Sequence, residues 1–376
     1  MTSWKTYRAE DYCLTVTDGT HDSPKPQAEG RYLITSKHLK PSGIDFSSAN
    51  KICEEDYQKI IQRSKVEQYD ILFSMIGTIG NIHRVTIPIV DFAVKNMGIF
   101  KMGGDANKSL WMYYWLQSPI AQEYIQSRIT GSTQGYLTLG NLRDFPVCVP
   151  SLEEQRRIAG ILGAIDDKIE KNRRINTNLE LQAQALYKQW FVDNRNDDWE
   201  TLMLEDVATL SAGGDKPQIC SEQKTPECNI PIYSNGIDNE GLYGYTNNPR
   251  ITEDSITISA RGTIGFVSLR TEPYVPIVRL ISVVPTYKNV SAYFLYLWAL
   301  TQNISGTGTT QQQLTVPAFR TTKIVVPSQE TLIKFNQVVN PIFDNIKQNK
   351  KENETLATLR DTLLPKLMNG EIKIRE

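Results

Sequence analysis

Two stretches of this chain repeat each other at a fixed offset, and that repeat limits the fold more than any other feature of the sequence. Gly131-Ser-Thr-Gln134-Gly-Tyr-Leu137 leads through Arg143 into Val149-Pro150-Ser151. Gly308-Thr-Thr-Gln311-Gln-Gln-Leu314 leads through Arg320 into Val326-Pro327-Ser328. Gly131 and Gly308, Gln134 and Gln311, Arg143 and Arg320, and Pro150 and Pro327 all stand 177 positions apart. Upstream, Gly77-Thr-Ile-Gly80 returns as Gly262-Thr-Ile-Gly265 at an offset of 185. Insertions or deletions therefore separate the two matches.

A helical pattern follows each copy. From Ile158, alternating steps of four and three select Leu162, Ile165, Ile169, Asn172, Asn176, Leu179, Ala183, Leu186 and Trp190. The same positions of the second copy hold Phe335, Val339, Ile342, Ile346, Asn349, Asn353, Leu356, Arg360, Leu363 and Leu367. This is the spacing of a coiled-coil seam, with two asparagines in the middle of each. Ser151 and Ser328 are placed as N-caps, and Glu154 completes a capping box with Ser151. Each helix should run for roughly 40 residues, or about 60 Å. Pro341 should kink the second one early, and Gly370 suits its C-terminal cap. A seam of that length needs a partner, and the other helix is the simplest one. Antiparallel pairing about the midpoint sets Ile165 against Leu356, Leu179 against Ile342, and Asn172 against Asn349. A buried Asn pair fixes register at a cost in stability.

The repeat divides the 376 residues into recognisable parts. Globular units are expected at 1–150 and 196–327, with helical segments at 151–195 and 328–376. The globular units read as mixed α/β (α+β) with many short strands. Ile71-Leu-Phe, Ile87-Pro-Ile-Val90, Ser255-Ile-Thr-Ile-Ser and Ile277-Val look like strands. Leu110-Trp-Met-Tyr-Tyr-Trp-Leu116 and Ala292-Tyr-Phe-Leu-Tyr-Leu-Trp298 look like one helix, repeated, with its aromatics in the core. A polar Gly/Ser/Thr/Gln loop follows it each time, at 130–136 and 306–313. Such side chains can donate to phosphate or read base edges, or simply form a turn.

Composition excludes several classes. No apolar run is long enough for a membrane span, and Met1-Thr-Ser-Trp-Lys5 carries no apolar signal core, so a cytoplasmic protein is expected. The five cysteines are scattered without a CxxC, which suits reduced thiols. Only His21, His38 and His83 are present, in no metal-binding spacing, so no metal site is expected. There is no GxxxxGK[ST] phosphate loop, and Gly77-x-x-Gly80 is not GxGxxG. Asn340-Pro-Ile-Phe343 lies within the predicted helix and lacks the second proline of an amino-methyltransferase signature. No triad context exists for nucleophilic hydrolysis.

With these residues in place, the chain resembles the specificity subunit of type I restriction-modification enzymes. The resemblance rests first on the helix opening Pro150-Ser-Leu-Glu-Glu-Gln-Arg-Arg-Ile-Ala-Gly-Ile-Leu-Gly-Ala-Ile-Asp-Asp-Lys-Ile-Glu. Asp18-Gly-Thr-His-Asp22, Thr35-Ser-Lys-His38, Gly43-Ile-Asp-Phe46 and Asp70-Ile-Leu-Phe-Ser-Met-Ile-Gly-Thr-Ile-Gly80 are similar to one version of its target-recognition domain. Leu204-Glu-Asp-Val-Ala and Gly213-Gly-Asp-Lys-Pro217 look like the opening of a second. Pro327-Ser-Gln-Glu-Thr and the acidic second unit depart from the pattern. The resemblance implies a non-catalytic subunit. Each recognition domain would read one half of a bipartite, asymmetric site on double-stranded DNA. The helices would set the unread spacer and bind two methyltransferase subunits, which bring S-adenosylmethionine and methylate adenine. Two restriction subunits would join through them, using ATP and Mg. No cofactor is implied for this chain.

Candidate DNA contacts are loop residues: Lys25, Lys37, Thr78, Arg84, Lys95, Gln134 and Tyr136 in the first unit. In the second they are Lys216, Ser234, Asn235, Arg261, Thr263, Arg279, Gln311 and Gln312. Partner-subunit contacts are expected from the polar helix faces, through Arg156, Arg157, Asp166, Lys168, Arg173, Lys347 and Arg360. Formal net charge is −1 overall, yet residues 196–327 carry 9 basic against 13 acidic side chains. A second reader so poor in cations would depend on a few placed residues for phosphate contact. The competing class is a tandem-repeat protein-binding scaffold, which would give no footprint on a two-part DNA site. A self-sufficient nuclease would need metal-dependent cleavage by the purified chain.

Overall fold

The computed structural model describes residues 4–40, 43–131, 135–306 and 312–374. The chain forms two compact units, Met1–Asn172 with Lys351–Glu376, and Arg173–Lys350. Each unit therefore holds half of each long helix.

The first unit is built on a four-stranded antiparallel sheet. Its spatial order is Thr15–Asp18, Met97–Lys101, Ile71–Ser74, Ile82–Arg84. The two central strands are buried along their whole length, which suits their apolar runs. A second sheet pairs Asn50–Ile52 antiparallel and Phe92–Val94 parallel with Arg31–Ile34. Lys5–Arg8 pairs with Pro146–Val149 and closes the unit.

The second unit repeats this plan strand for strand. Its four-stranded sheet runs Ala208–Ala212, Leu280–Pro285, Ser255–Ser259, Val267–Arg270. Ile230–Tyr233 pairs antiparallel with Leu242–Thr246 and parallel with Val275–Pro276. Glu200–Met203 pairs with Lys323–Val326. Register is kept as well: Met97 lies opposite Ser74, and Leu280 opposite Ser259. One pair of glycines shows why. A Cβ on Gly19 would lie 2.2 Å from the Val94 carbonyl oxygen, and one on Gly213 would lie 2.0 Å from that of Ile277. The backbones approach too closely at this crossing for any side chain.

The aromatic helices Ala106–Gln117 and Ala292–Thr301 form the cores, as their apolar runs predict. Trp111, Tyr114 and Trp115 are buried with Phe73, Phe100, Ile158, Leu162 and Leu367. Phe294 and Trp298 are buried with Tyr187, Phe191, Leu332, Phe335 and Val339. Two strand expectations are corrected. Residues 87–90 form a bend, with Ile89 81% exposed, where the chain passes from Ile82–Arg84 of one sheet to Phe92–Val94 of another and Pro88 brings no N–H for a ladder. The strand expected at Ile277-Val ends at Pro276, beyond which Ile277 makes a single bridge and the chain turns.

The long helices span Leu152–Tyr187 and Gln329–Met368, 36 and 40 residues. A π-helical turn, Lys188–Asp193, extends the first. The Ser151 hydroxyl accepts from the Glu154 N–H at 3.2 Å, and that of Ser328 from Thr331 at 3.3 Å, so both caps form. Gly370, at φ 73°, follows the second helix in the left-handed region. That helix continues without a break through Pro341, where Val339 and Phe343 on either side are buried in the core.

The helices run antiparallel within each unit. In the first unit Arg360 donates to Asp166 at 2.8 Å, while Asn172 donates to Asn353 at 2.9 Å. In the second unit Asn349 donates to Asn176 at 2.8 Å, and the rings of Tyr187 and Phe335 meet. The hydrogen-bond partners of the asparagines differ from those expected: Asn172 bonds Asn353, and Asn349 bonds Asn176. Ile165 is buried, and Leu356, Leu179 and Ile342 are half-buried. Apolar heptads match nearly as well after a one-turn slide, so they leave the choice open. Polar contacts between the helices fit both alignments. Asp166 meets Arg360, and Lys168 meets Glu352 at 3.0 Å.

Candidate nucleic-acid interface

The Gly-Thr-Ile-Gly turn follows the buried central strand in both units. Gly77 and Gly80 have φ of 79° and 89°, and Gly262 and Gly265 have φ of 79° and 83°, so the two turns share a backbone that favours glycine. A fully buried serine anchors each. The Ser74 hydroxyl donates to the Thr78 carbonyl and accepts from the Asn81 N–H, while that of Ser259 pairs with the Thr263 hydroxyl at 2.8 Å.

Other segments converge on these turns. In the second unit the Asn235 side-chain amide donates to the Arg261 carbonyl at 2.8 Å. The Thr263 hydroxyl donates to the Asn235 carbonyl at 2.5 Å. The Ala260 N–H donates to the Arg279 carbonyl at 2.8 Å, and the Ala260 carbonyl accepts from Leu314 at 2.8 Å. Ser234, Asn235, Arg261, Thr263, Arg279 and the chain from Gln312 thus share one edge of the unit. Arg279 and Gln312 are exposed, and Ser234 and Arg261 are half-buried. In the first unit Leu137 donates to the Met75 carbonyl at 2.9 Å, and exposed Tyr136 bridges to Ile76. This brings Tyr136 beside exposed Thr78. Lys37 is exposed on the short turn Ser36–His38, whose Ser36 hydroxyl lies 4.0 Å from where a Gly77 Cβ would be. Gln134 and Gln311 lie outside the described residues.

Several candidates are engaged inside the fold. Arg84, expected at the DNA, is held within the fold. It donates to the Ser109 hydroxyl at 2.9 Å and the Ala106 carbonyl at 3.2 Å, over the ring of Tyr69. Burial pushes its guanidinium below the usual range. The amide of Asn235 and the hydroxyl of Thr263 are spent holding the turn. Lys95 reaches the Ser23 hydroxyl, and Lys216 sits 5.0 Å over the Tyr243 ring. Lys25 is exposed on the 21–30 loop. On the helices, Asp166 binds Tyr114 at 2.7 Å as well as Arg360, so that pair is satisfied within the fold. Lys168 is held by Asn172 and Glu352, and Lys347 donates to the Thr271 carbonyl at 3.0 Å. Arg157 lies 3.9 Å from Glu153. Arg156 and Arg173 are exposed.

Two features escaped the sequence. His21 bonds Asp18 and Asn96 through its two ring nitrogens, each at 2.8 Å, and Arg63 reaches the Asp18 carboxylate at 3.2 Å. Asn96 itself has φ 54°, a conformation that asparagine tolerates and that offered the one local hint. In the second unit Arg270 is buried 3.5 Å over the Tyr233 ring and donates to the Glu240 carbonyl at 2.7 Å. Burial lowers its affinity for the proton, and Tyr233 and Glu240 oppose that effect. Among the described residues no group of three or more His, Cys, Asp and Glu could hold a metal ion. No described helix is long and apolar enough to cross a membrane.

The architecture has known counterparts. The family model for the type I restriction modification DNA specificity domain matches twice, at residues 25–181 and 196–359. The type I restriction enzyme MjaIX specificity subunit of Methanocaldococcus jannaschii is 28% identical, over 72% of this chain and 71% of that protein. The HindI specificity subunit of Haemophilus influenzae is 26% identical, over 82% of this chain and 88% of that one. The crystal structure of a type I restriction-modification S subunit from M. genitalium shares the fold. Its TM-score is 0.57 at 17% identity, covering 97% of this chain and 96% of that one. Two matched domains, repeated strand for strand and each joined to half of a helix pair, place the chain in the type I restriction-modification DNA specificity family.

Proposed function

We propose that each unit reads one half of a bipartite, asymmetric site on double-stranded DNA. One observation carries this reading. The two units keep the same turn, register and strand order but present different side chains around it. Asn96 stands where Arg279 does, and the segments entering Leu137 and Leu314 carry Tyr136 in one unit and Gln313 in the other. A shared scaffold with unlike reading residues suits two unlike half-sites.

The helix pair would hold the readers at a set separation and dock two modification subunits, with restriction subunits joining through these. Exposed Arg156 and Arg173 are candidates for that contact. The partners would supply the chemistry: S-adenosylmethionine for adenine methylation, and ATP with Mg for translocation and cleavage. Such a complex works in the prokaryotic cytoplasm, where the chromosome is. The second unit, with 9 basic and 13 acidic residues between 196 and 327, would depend on partners for much of its electrostatic grip.

Adenine methylome sequencing of the host with and without the gene tests the reading. Loss of one asymmetric two-part motif is the expected result. An unchanged methylome in a host expressing the modification subunits would refute it.

A further inference from the structure

We infer that Arg279 reads a G·C base pair in the half-site of the second unit, an assignment that rests on the reading just given. Its backbone is the first observation. The strand registers make Arg279 the counterpart of Asn96, since each immediately precedes the residue opposite the anchoring serine. Both lie in the left-handed region, at φ 76° and 54°. Asparagine visits that region readily, but arginine does so against steric resistance between its Cβ and the backbone. Glycine would take it freely.

Nothing in the fold accounts for arginine there. The residue is exposed, and its guanidinium makes no hydrogen bond, ion pair or ring contact with any described residue. Its carbonyl accepts from Ala260, a bond that any residue would make. Four other cations of the unit are engaged: Arg270 over Tyr233, Lys216 over Tyr243, Arg320 with Glu205, and Lys350 with Glu240. Strained residues held without structural return gather at functional sites.

Placement and chemistry name the ligand. The Ala260 bond fixes Arg279 at the turn where Arg261, Asn235 and the Gln312 segment converge. A phosphate contact tolerates a flexible cation anywhere along the backbone. A planar fork of donors held at one fixed point suits the O6 and N7 acceptors of guanine in the major groove.

Arg279→Gly separates function from structure. It removes the guanidinium, relieves the left-handed strain and keeps the carbonyl that Ala260 uses. The full chain, co-expressed with its modification subunits, is tested by adenine methylome sequencing, and the purified chain by thermal melting. The parent should give a motif with a G·C pair in one half that R279G relaxes at that position alone. Discrimination there should fall by roughly 5- to 150-fold, the range of one bidentate contact. The melting temperature should not fall, whereas Arg279→Ala, which keeps the strain, should melt no higher than R279G. An unchanged motif in R279G, or two half-sites built of A·T pairs alone, overturns the assignment and leaves the bipartite reading standing. A parent chain that adds no motif overturns both.

Discussion

The Asn172–Asn353 contact makes a prediction whose sign is unusual for a buried hydrogen bond. Asn172 is 1% exposed, and its amide donates to Asn353 at 2.9 Å and to Glu352 at 2.7 Å. Asn353→Leu removes one acceptor and leaves a buried N–H without a partner. A stranded buried donor costs about 1–3 kcal/mol, and some 2 kcal/mol is expected because Asn172 has almost no access to water. Asn172→Leu should cost less, about 1 kcal/mol, since half-buried Asn353 can turn to solvent. The double variant places leucines at both positions and strands no donor of Asn172. It should lie within about 1 kcal/mol of the parent, well short of the sum. Urea unfolding of the full chain, with hydrogen exchange followed on peptides from 158–176, provides the cycle. The methylation motif should not change, because the Asn176–Asn349 pair still holds register in the other unit. Additive costs, or an N353L cost under about 0.5 kcal/mol, would refute the argument.

Acid should weaken the first unit through His83. Burial lowers its pKa to about 4, against an unfolded value of about 6.5. Its neutral form is therefore favoured by folding, so the stability is complete above pH 6.5 and is lost as pH falls towards 4. Between pH 7.5 and 5.5 the loss should be about 1.3 kcal/mol, and His83→Gln should flatten that part of the pH–stability curve. His38, also lowered by burial, should leave a residual slope. Arg84→Gln should destabilise the first unit by about 1–2 kcal/mol through its lost bonds to Ser109 and Ala106. The motif should remain intact, and a relaxed base position in methylome data would show that Arg84 reads DNA after all. Gly19→Ala and Gly213→Ala should each cost more than about 3 kcal/mol, because the clashing atom is a backbone oxygen. Soluble variants with parental melting temperatures would disprove the close crossing.

The sequence revealed the large features because each was written twice. The helix caps at Ser151 and Ser328, the aromatic cores and the Gly-Thr-Ile-Gly turns all followed from local pattern and its repetition. The partner of Asn172 did not, since the heptads around it accept a slide of one turn and its amide reaches both Glu352 and Asn353. The strand expected at 87–90 failed for a related reason. Ile87 and Ile89 have strand-like composition, but they fall on the crossing between two sheets, with Pro88 between them. Site residues were the least legible. Arg84 and Arg279 look alike as letters, yet one is spent on Ser109 and the other stands free on a left-handed turn.

The division at Asn172 and Lys351 has a genetic consequence. Arg173–Lys350 is one uninterrupted stretch, and it carries its own share of both helices together with the Asn176–Asn349 contact near its two ends. A single exchange of DNA bounded by those codons would bring in a foreign reader with its local helix pairing already made. The first unit, split into two segments on either side of it, allows no such one-piece replacement. Where chains of this kind trade parts, the inner segment should be the one that travels whole.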